Sequence, residues 1–379
     1  MKPERIRVLA IGMFDSVHFC RWLKQFSDQQ IDFLLVPSSP HRRRHPMLLE
    51  LIEPKQGRMA NYAMAPFSNL LSIPIWVLDR IFSKRLLGLS ISLLLRNYKP
   101  HFVHGLELQN AGYGILRARG AIAKSGSKVI VTNYGSDIFW FSRYDEHRAL
   151  LRRLLGMVDM YAAECERDVK LALGLGFVGE VMKVAPNAGG FDTREIDESW
   201  HKPDNRTALV IKGYQGWVGR AKVAVDALEL LRDKVSTLDI VFFSCNWSTI
   251  RAVRRLTKRT GLRITTYKKG QLRHFEMLEL FGRAKVYVGL SLSDGISTSM
   301  LEAMAMGAIP VQTATACCDE WFDQTGVKVE DLSVASVADA ILQGIELAND
   351  PSNRNINRET IRSKASEEYV RDAALEFYR

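Results

Sequence analysis

The chain is short of the residues that mark secreted, metal-binding or membrane-spanning proteins. Its 379 residues hold five cysteines (Cys20, Cys165, Cys245, Cys317 and Cys318) and no Cys-x-x-Cys pair. No disulfide framework or zinc spacing can be built from them, so they read as reduced thiols, with adjacent Cys317 and Cys318 as packing residues. No Asp-x-Asp pair occurs anywhere, which removes a common way of holding a divalent cation against a phosphate. Met59 to Leu78 is an uncharged run of twenty residues, but Pro66, Pro74, Asn61, Asn69, Ser68 and Ser72 break its apolar character and Asp79 follows at once, which argues against a membrane span. A first strand is expected almost at the N-terminus, in IRVLAIG, leaving no room for a signal peptide. Solenoid repeats and low-complexity tracts are absent too.

Glycine is scarce where a dinucleotide site would need it. The turn after the first expected strand, Gly12 to Ser16, has a single glycine. A G-x-G-x-x-G match does occur at Gly174 to Gly179, but a helical run precedes it and a strand follows, the reverse of the order that such a site requires. Gly174 and Gly176 read as a helix stop and turn.

Apolar runs alternate with helical patterns along the whole length. The first half gives strands IRVLAIG, IDFLLV, HFVHG and KVIVT separated by helical segments; the second series starts near Thr207 with TALVIKG, LDIVFF, LRITT and KVYVGLSLS. The expected fold is α/β, with two Rossmann-like, doubly wound parallel-sheet domains. Residues 1–186 form the first domain, the Pro-, Gly- and Asp-rich residues 187–206 a linker, residues 207–354 the second domain and 355–379 a terminal helix. Apolar Ile361, Ala365, Tyr369, Ala373 and Phe377, spaced by four, give that helix one sticky stripe.

Charge is uneven. Residues 1–190 hold 26 Lys and Arg against 16 Asp and Glu, whereas residues 191–379 hold 26 against 26, so the whole excess of +10 lies in the first half. Its densest cluster, His41 to His45, precedes the uncharged run, and the pair suggests peripheral docking on an anionic membrane from the cytoplasmic side, or else a solvated charge run beside core. Nonspecific phosphate-backbone binding is a further reading of the excess charge, but no aromatic reading motif accompanies the arginines.

The most informative stretch is DGISTSMLEAMAMGAIPVQT, Asp294 to Thr313. It places Asp294 and Glu302 eight positions apart around a hydroxyl-rich turn, Gly295, Ile296, Ser297, Thr298 and Ser299, that opens a helix at the carboxyl edge of a parallel sheet. Exposed N–H groups at such a helix start attract a diphosphate. Taken alone, Ser299 and Glu302 also fit a capping box. Lys212, Arg220 and Lys222 lie near the first turn of the second domain, and a guanidinium such as Arg220 suits a phosphate fork.

Asp294 to Thr313 resembles the donor-binding segment of the retaining GT-B glycosyltransferases of family four, with Asp294 where the first of a Glu-x7-Glu pair is usual. Segments DSVHFCRWLKQF (Asp15 to Phe26) and TNYGSDIFWF (Thr132 to Phe141) resemble the family's first loop and its sugar-facing loop, with Tyr134 in place of the usual His. The resemblance implies two domains facing a central cleft, and a terminal helix that crosses back to the first domain. It implies that Asp294 accepts hydrogen bonds from the donor hexose, Glu302 from ribose hydroxyls, and that Lys212, Gly213 and Arg220 border the diphosphate. Tyr267 and Lys268 would hold the base, and Asp15, Ser16, His18, Tyr134, Gly135, Ser136 and Asp137 would line the acceptor side. For Asp137 the competing reading is a helix N-cap. The implied activity is metal-independent transfer of a hexose from a UDP- or GDP-linked donor to a glycan or lipid-linked acceptor, with no cofactor, in cell-envelope synthesis. A nucleotide-sugar epimerase and a non-catalytic carbohydrate scaffold are the alternatives.

Overall fold

The computed structural model describes residues 5–39, 44–66, 77–79, 81, 85–198 and 206–379. Residues 41–43 of the basic cluster, 67–76 of the uncharged run and 199–205 of the expected linker lie outside them. The chain forms two compact units, residues 1–190 with 368–379, and residues 191–367.

The first unit is a seven-stranded sheet. Its strands are β1 (Ile6–Gly12), β2 (Ile31–Pro37), β3 (Asn61–Met64), β4 (Phe102–Leu106), β5 (Lys128–Thr132), β6 (Met160–Ala162) and β7 (Glu180–Val181). The spatial order is β3-β2-β1-β4-β5-β6-β7, and every recorded pairing is parallel. Residues such as Val8 to Ile11 and Val129 to Val131 are fully buried because helices cover both faces, which is why these strands read as continuous apolar runs. The covering helices include α1 (Val17–Lys24), α2 (Pro46–Ile52), α3 (Arg85–Tyr98), α4 (Tyr113–Arg117), α5 (Arg119–Ser125), α6 (Asp145–Leu155) and α7 (Glu166–Gly174). Gly174 closes α7 and Gly176 takes φ 97°, the left-handed turn expected of that motif.

The second unit begins with α8 (Thr193–Glu198), inside the stretch read as linker. Its six strands are β8 (Ala208–Lys212), β9 (Asp239–Cys245), β10 (Ile264–Lys268), β11 (Ala284–Gly289), β12 (Ile309–Thr313) and β13 (Val327–Val329), in parallel order β10-β9-β8-β11-β12-β13. Between them run α9 (Ala221–Leu230), α10 (Arg232–Val235), α11 (Trp247–Thr260), α12 (His274–Gly282), α13 (Thr298–Ala305), α14 (Val334–Leu347) and α15 (Pro351–Ala365).

The expected single terminal helix is two. Alpha-helix α15 stops at Ser366, whose backbone is extended (φ −62°, ψ 154°), and α16 (Glu367–Leu375) starts anew. The break is imposed by Phe191, whose N–H donates to the Ala365 carbonyl (2.8 Å) and whose carbonyl accepts from Glu367 N–H (2.9 Å). Residues 368–379 then belong to the first unit. There Phe377 packs on Trp22 (ring centroids 4.6 Å apart) and Tyr378 on Phe26 (5.0 Å), while the Tyr378 hydroxyl lies 2.6 Å from His104 Nδ1. Burial depresses the His104 pKa to about 3, so the ring is neutral and its other nitrogen meets Thr132 Oγ1 at 2.7 Å.

Candidate functional site

Strand order in the second unit reverses between β8 and β11, so the loops leaving these neighbouring strands diverge at their carboxyl ends and open a crevice there. The two loops are tied together. Arg220 N–H donates to the Leu290 carbonyl (3.0 Å) and Leu292 N–H to the Val218 carbonyl (2.9 Å). Gly213 must be glycine, because a Cβ there would sit 2.3 Å from Cys245 Sγ and 2.9 Å from the Phe243 carbonyl oxygen. The chain therefore leaves β8 directly against β9.

Lys212, the last residue of β8, points its ammonium at Ser297 Oγ, 3.4 Å away. Ser297 is the N-cap of α13 and its hydroxyl makes no capping bond; instead it joins Tyr287 (3.3 Å) and Ser299 (3.3 Å) in a hydroxyl cluster, with Tyr287 also 3.0 Å from Ser299 Oγ. Thr298 and Ser299 open the helix, where no intrahelical carbonyl precedes their N–H groups. Gly295 and Ile296 are buried in the turn beneath, and the Asp294 N–H donates to the Thr315 carbonyl (3.2 Å). Burial alone would lower the Lys212 pKa, but Tyr287, Asp294, Glu302 and Tyr214 outweigh it and hold the ammonium above its ordinary value. One permanent cation thus faces two carboxylates and a helix start, an arrangement suited to a diphosphate flanked by hydroxyl groups.

Glu302 is not part of a capping box. Its Oε1 lies 3.2 Å from His274 Nε2, and His274 Nδ1 lies 3.3 Å from Glu195 Oε1, so the imidazole bridges two carboxylates. His274 opens α12 and was not among the expected site residues; no local motif marks it. Arg220 differs from expectation. Its guanidinium donates to the carbonyls of Gly216 (3.0 Å), Gly219 (2.8 Å) and Trp217 (3.4 Å), bracing the loop after β8. Lys212 is therefore the cation presented to the helix start, and Arg220 the one that shapes the loop. Tyr267 and Lys268 end the edge strand β10, where Lys268 Nζ stands 4.6 Å from the Trp247 ring centroid and Lys268 N–H donates to Gln271 Oε1 (2.9 Å).

The first unit has its own reversal, between β1 and β4. Ser16 caps α1, its Oγ accepting from His18 N–H (3.2 Å), and the His18 and Tyr134 rings lie 6.5 Å apart; Asp15 is exposed. Gly135 takes φ 47°, turning the chain through Ser136 to Asp137. Asp137 is not a helix N-cap: its Oδ2 accepts from Leu108 N–H (2.9 Å) and Tyr134 N–H (3.2 Å), stitching the loops after β4 and β5. Glu107, which sequence reasoning missed, sits just past β4 at φ 138° and ψ 152°, a conformation costing a non-glycine residue about 1–3 kcal/mol. Burial, and the neighbouring Glu107 carboxylate, push Asp137 up to about 8.

That shift has a stability consequence. An unfolded aspartate ionises near pH 4, so between there and pH 8 the folded state holds the extra proton and stability falls as pH rises. Asp137→Asn removes the titration. The variant's melting temperature relative to wild type should therefore climb from pH 5 to 8 and then level off; a pH-independent difference would show that Asp137 is ionised throughout.

Residues 207–346 match the family model described as Glycosyl transferases group 1, a stretch that includes Asp294 to Thr313. Among solved structures the chain is similar to sucrose-phosphate synthase from Thermosynechococcus elongatus, at 13% identity and TM-score 0.68, with 98% of this chain and 97% of that one covered. It is similar to Anabaena HepE in complex with UDP, at 10% identity and TM-score 0.68, covering 98% and 99%. A trehalose 6-phosphate synthase from Burkholderia multivorans aligns at 12% identity and TM-score 0.70, covering 98% of both chains. No curated protein sequence matches the chain. At these identities the likeness establishes the fold, which is GT-B.

Proposed function

We propose, from the premise that residues 207–346 are a Glycosyl transferases group 1 domain in a chain of GT-B fold, that the protein moves a sugar from a nucleoside-diphosphate donor to a hydroxyl of a glycan or lipid-linked acceptor with retained anomeric configuration. The observation that carries the proposal is the Lys212 ammonium set 3.4 Å from the Ser297 hydroxyl at the opening of α13, with Glu302 in that helix and Asp294 just before it. In the reaction the anomeric C–O bond breaks and its electron pair leaves with the diphosphate oxygen. Lys212 and the N–H groups of Thr298 and Ser299 meet that developing charge. The acceptor oxygen bonds to the same face of the anomeric carbon, and its proton passes to the departing phosphate oxygen. Glu302 accepts from the ribose hydroxyls and Asp294 from the hexose. Because a protein cation and helix N–H groups answer the diphosphate charge, transfer proceeds without a cofactor or a metal ion. HepE has been solved with UDP and with UDP-glucose, which supports a uridine donor. Cell-envelope glycan or glycolipid synthesis on the cytoplasmic side is the setting in which such an acceptor is met.

The test is turnover with α-linked UDP-hexoses and a panel of glycan and lipid-linked acceptors, with product configuration read by NMR. UDP release that needs an acceptor, an α-linked product and indifference to EDTA are expected. Inversion would contradict retention, reversible loss with EDTA would contradict the metal-free step, and sugar interconversion without an acceptor would make the protein an epimerase.

A further inference from the structure

The charge count by halves conceals a local extreme. Trp247 to Gln271 contains eight Lys or Arg and no Asp or Glu, within a second half whose charges cancel only in total. The segment is α11, the edge strand β10 and the turn after it. Helix α11 buries Ile250, Val253 and Leu256 against the sheet and leaves Trp247, Arg251, Arg254, Arg255, Lys258 and Arg259 exposed. At 100° per residue these six occupy an arc of about 140°, with Trp247, Lys258, Arg251 and Arg255 at its centre. Among the described residues, Arg259 alone of these is neutralised, by a bidentate pair with Glu229 (2.8 and 2.6 Å). Trp247 is 60% exposed, although burial would be the ordinary fate of so large an apolar ring. Beside it lies a groove of about 570 Å³, lined by Arg254, Thr266, Lys268, Lys269 and Gln271.

We propose that this face of the second unit docks on an anionic membrane leaflet, with the groove holding a lipid phosphate and Trp247 entering the headgroup boundary. Charge complementarity selects the partner: cations lie along the solvent side of a helix that spans about 21 Å, a shape that meets a planar charged surface along its length. An indole flanked by ammonium and guanidinium groups is the pairing that settles at a lipid interface, its ring in the boundary and its cations on phosphate. A single-stranded nucleic acid is the rival polyanion. It needs successive stacking platforms, whereas the exposed side of α11 carries one indole, Trp247, already approached by Lys268 Nζ at 4.6 Å. The donor loops leave β8 and β11, with β9 between β8 and the edge strand β10, and Lys268 at the end of β10 borders both the groove and the expected base position. No helix among the described residues is long and apolar enough to cross a membrane, so attachment by this route is peripheral.

The test is co-sedimentation of the full chain with vesicles of phosphatidylcholine, alone or mixed equally with phosphatidylglycerol, at low salt. Wild type should bind only the anionic vesicles and release as salt rises. The triple variant Arg251→Glu, Arg255→Glu, Lys258→Glu should bind at least about 100-fold more weakly, since each cation near an anionic surface contributes roughly fivefold. A matching Arg251→Lys, Arg255→Lys double variant should bind as wild type. All three side chains are exposed, and an unchanged melting temperature establishes that the variants fold. Brominated lipid should quench wild-type fluorescence more than that of Trp247→Phe. Equal sedimentation of wild type and the triple variant, no sedimentation at all, or a preference for a single-stranded oligonucleotide over the anionic vesicles would each overturn the proposal.

Discussion

Replacing Lys212 with alanine should lower kcat/KM for sugar transfer by about 100- to 1,000-fold, the usual cost of removing one preorganised donor from a developing oxyanion. The magnitude follows from where the ammonium sits. Burial opposes its charge, yet Tyr287, Asp294, Glu302 and Tyr214 hold it protonated, so the site has already met the cost of keeping a cation there. Without Lys212, Asp294 and Glu302 face an incoming diphosphate without the ammonium that they hold, and repulsion adds to the lost contact. Because the folded pKa lies above the ordinary lysine value of about 10.4, wild-type kcat/KM should show no alkaline fall from this group below pH 10. Arg220→Ala should cost less, because its guanidinium donates to the Gly216, Gly219 and Trp217 carbonyls, so its loss loosens a loop rather than removing a charge aimed at the helix start. Steady-state rates for the two variants separate these roles. If Arg220→Ala proved the more damaging, Arg220 would turn to the diphosphate when donor binds, as sequence reasoning expected.

The second large effect concerns stability. Phe377→Ala should destabilise the first unit by about 3–5 kcal/mol, the range for an aromatic truncated in a packed core. Phe377 and Tyr378 are 2% and 3% exposed, and they complete a cluster with Trp22, Phe26, Phe33 and His104. The first unit's sheet is therefore finished by residues at the far end of the chain, and its hydrophobic face is incomplete until they arrive. Hydrogen exchange is the suitable readout, because two units need not melt as one transition. Amides of β1, β2 and β4 should lose protection in Phe377→Ala while β8, β9 and β11 keep theirs. Loss shared equally by both sheets would show that the C-terminal segment supports the whole chain instead.

Much of this architecture was legible because parallel strands covered on both faces write themselves as short apolar runs. The runs at IRVLAIG, KVIVT, TALVIKG and KVYVG each became a strand, and the turn at Asp294 to Ser299 opened a helix at a sheet edge as its hydroxyl-rich composition suggested. What stayed hidden depends on contacts distant in sequence. The break at Ser366 needs Phe191 to bond on either side of it, and the stripe Ile361, Ala365, Tyr369, Ala373 and Phe377 runs through the break without a mark. His274 reaches Glu302 only because α12 and α13 are neighbours in space. Short elements such as α2 and β3 carry too few periodic residues to stand out. Glu107 betrays nothing locally, since its strain is a backbone angle set by the turn into the following helix. The basic face of α11 was overlooked for a simpler reason: balanced totals over half a chain say nothing about twenty-five residues within it.

The most direct measurement is calorimetric titration of UDP, GDP, ADP and dTDP into wild type and Glu302→Ala. Glu302 is 9% exposed and stands one turn into α13, where charge-assisted hydrogen bonds to ribose hydroxyls are each worth about 1.5–3 kcal/mol. Selective binding of UDP by wild type, weakened at least about tenfold in the variant, is the expected result. Equal affinity of the two proteins for every nucleotide, or no binding by wild type, would contradict a donor site at the opening of α13.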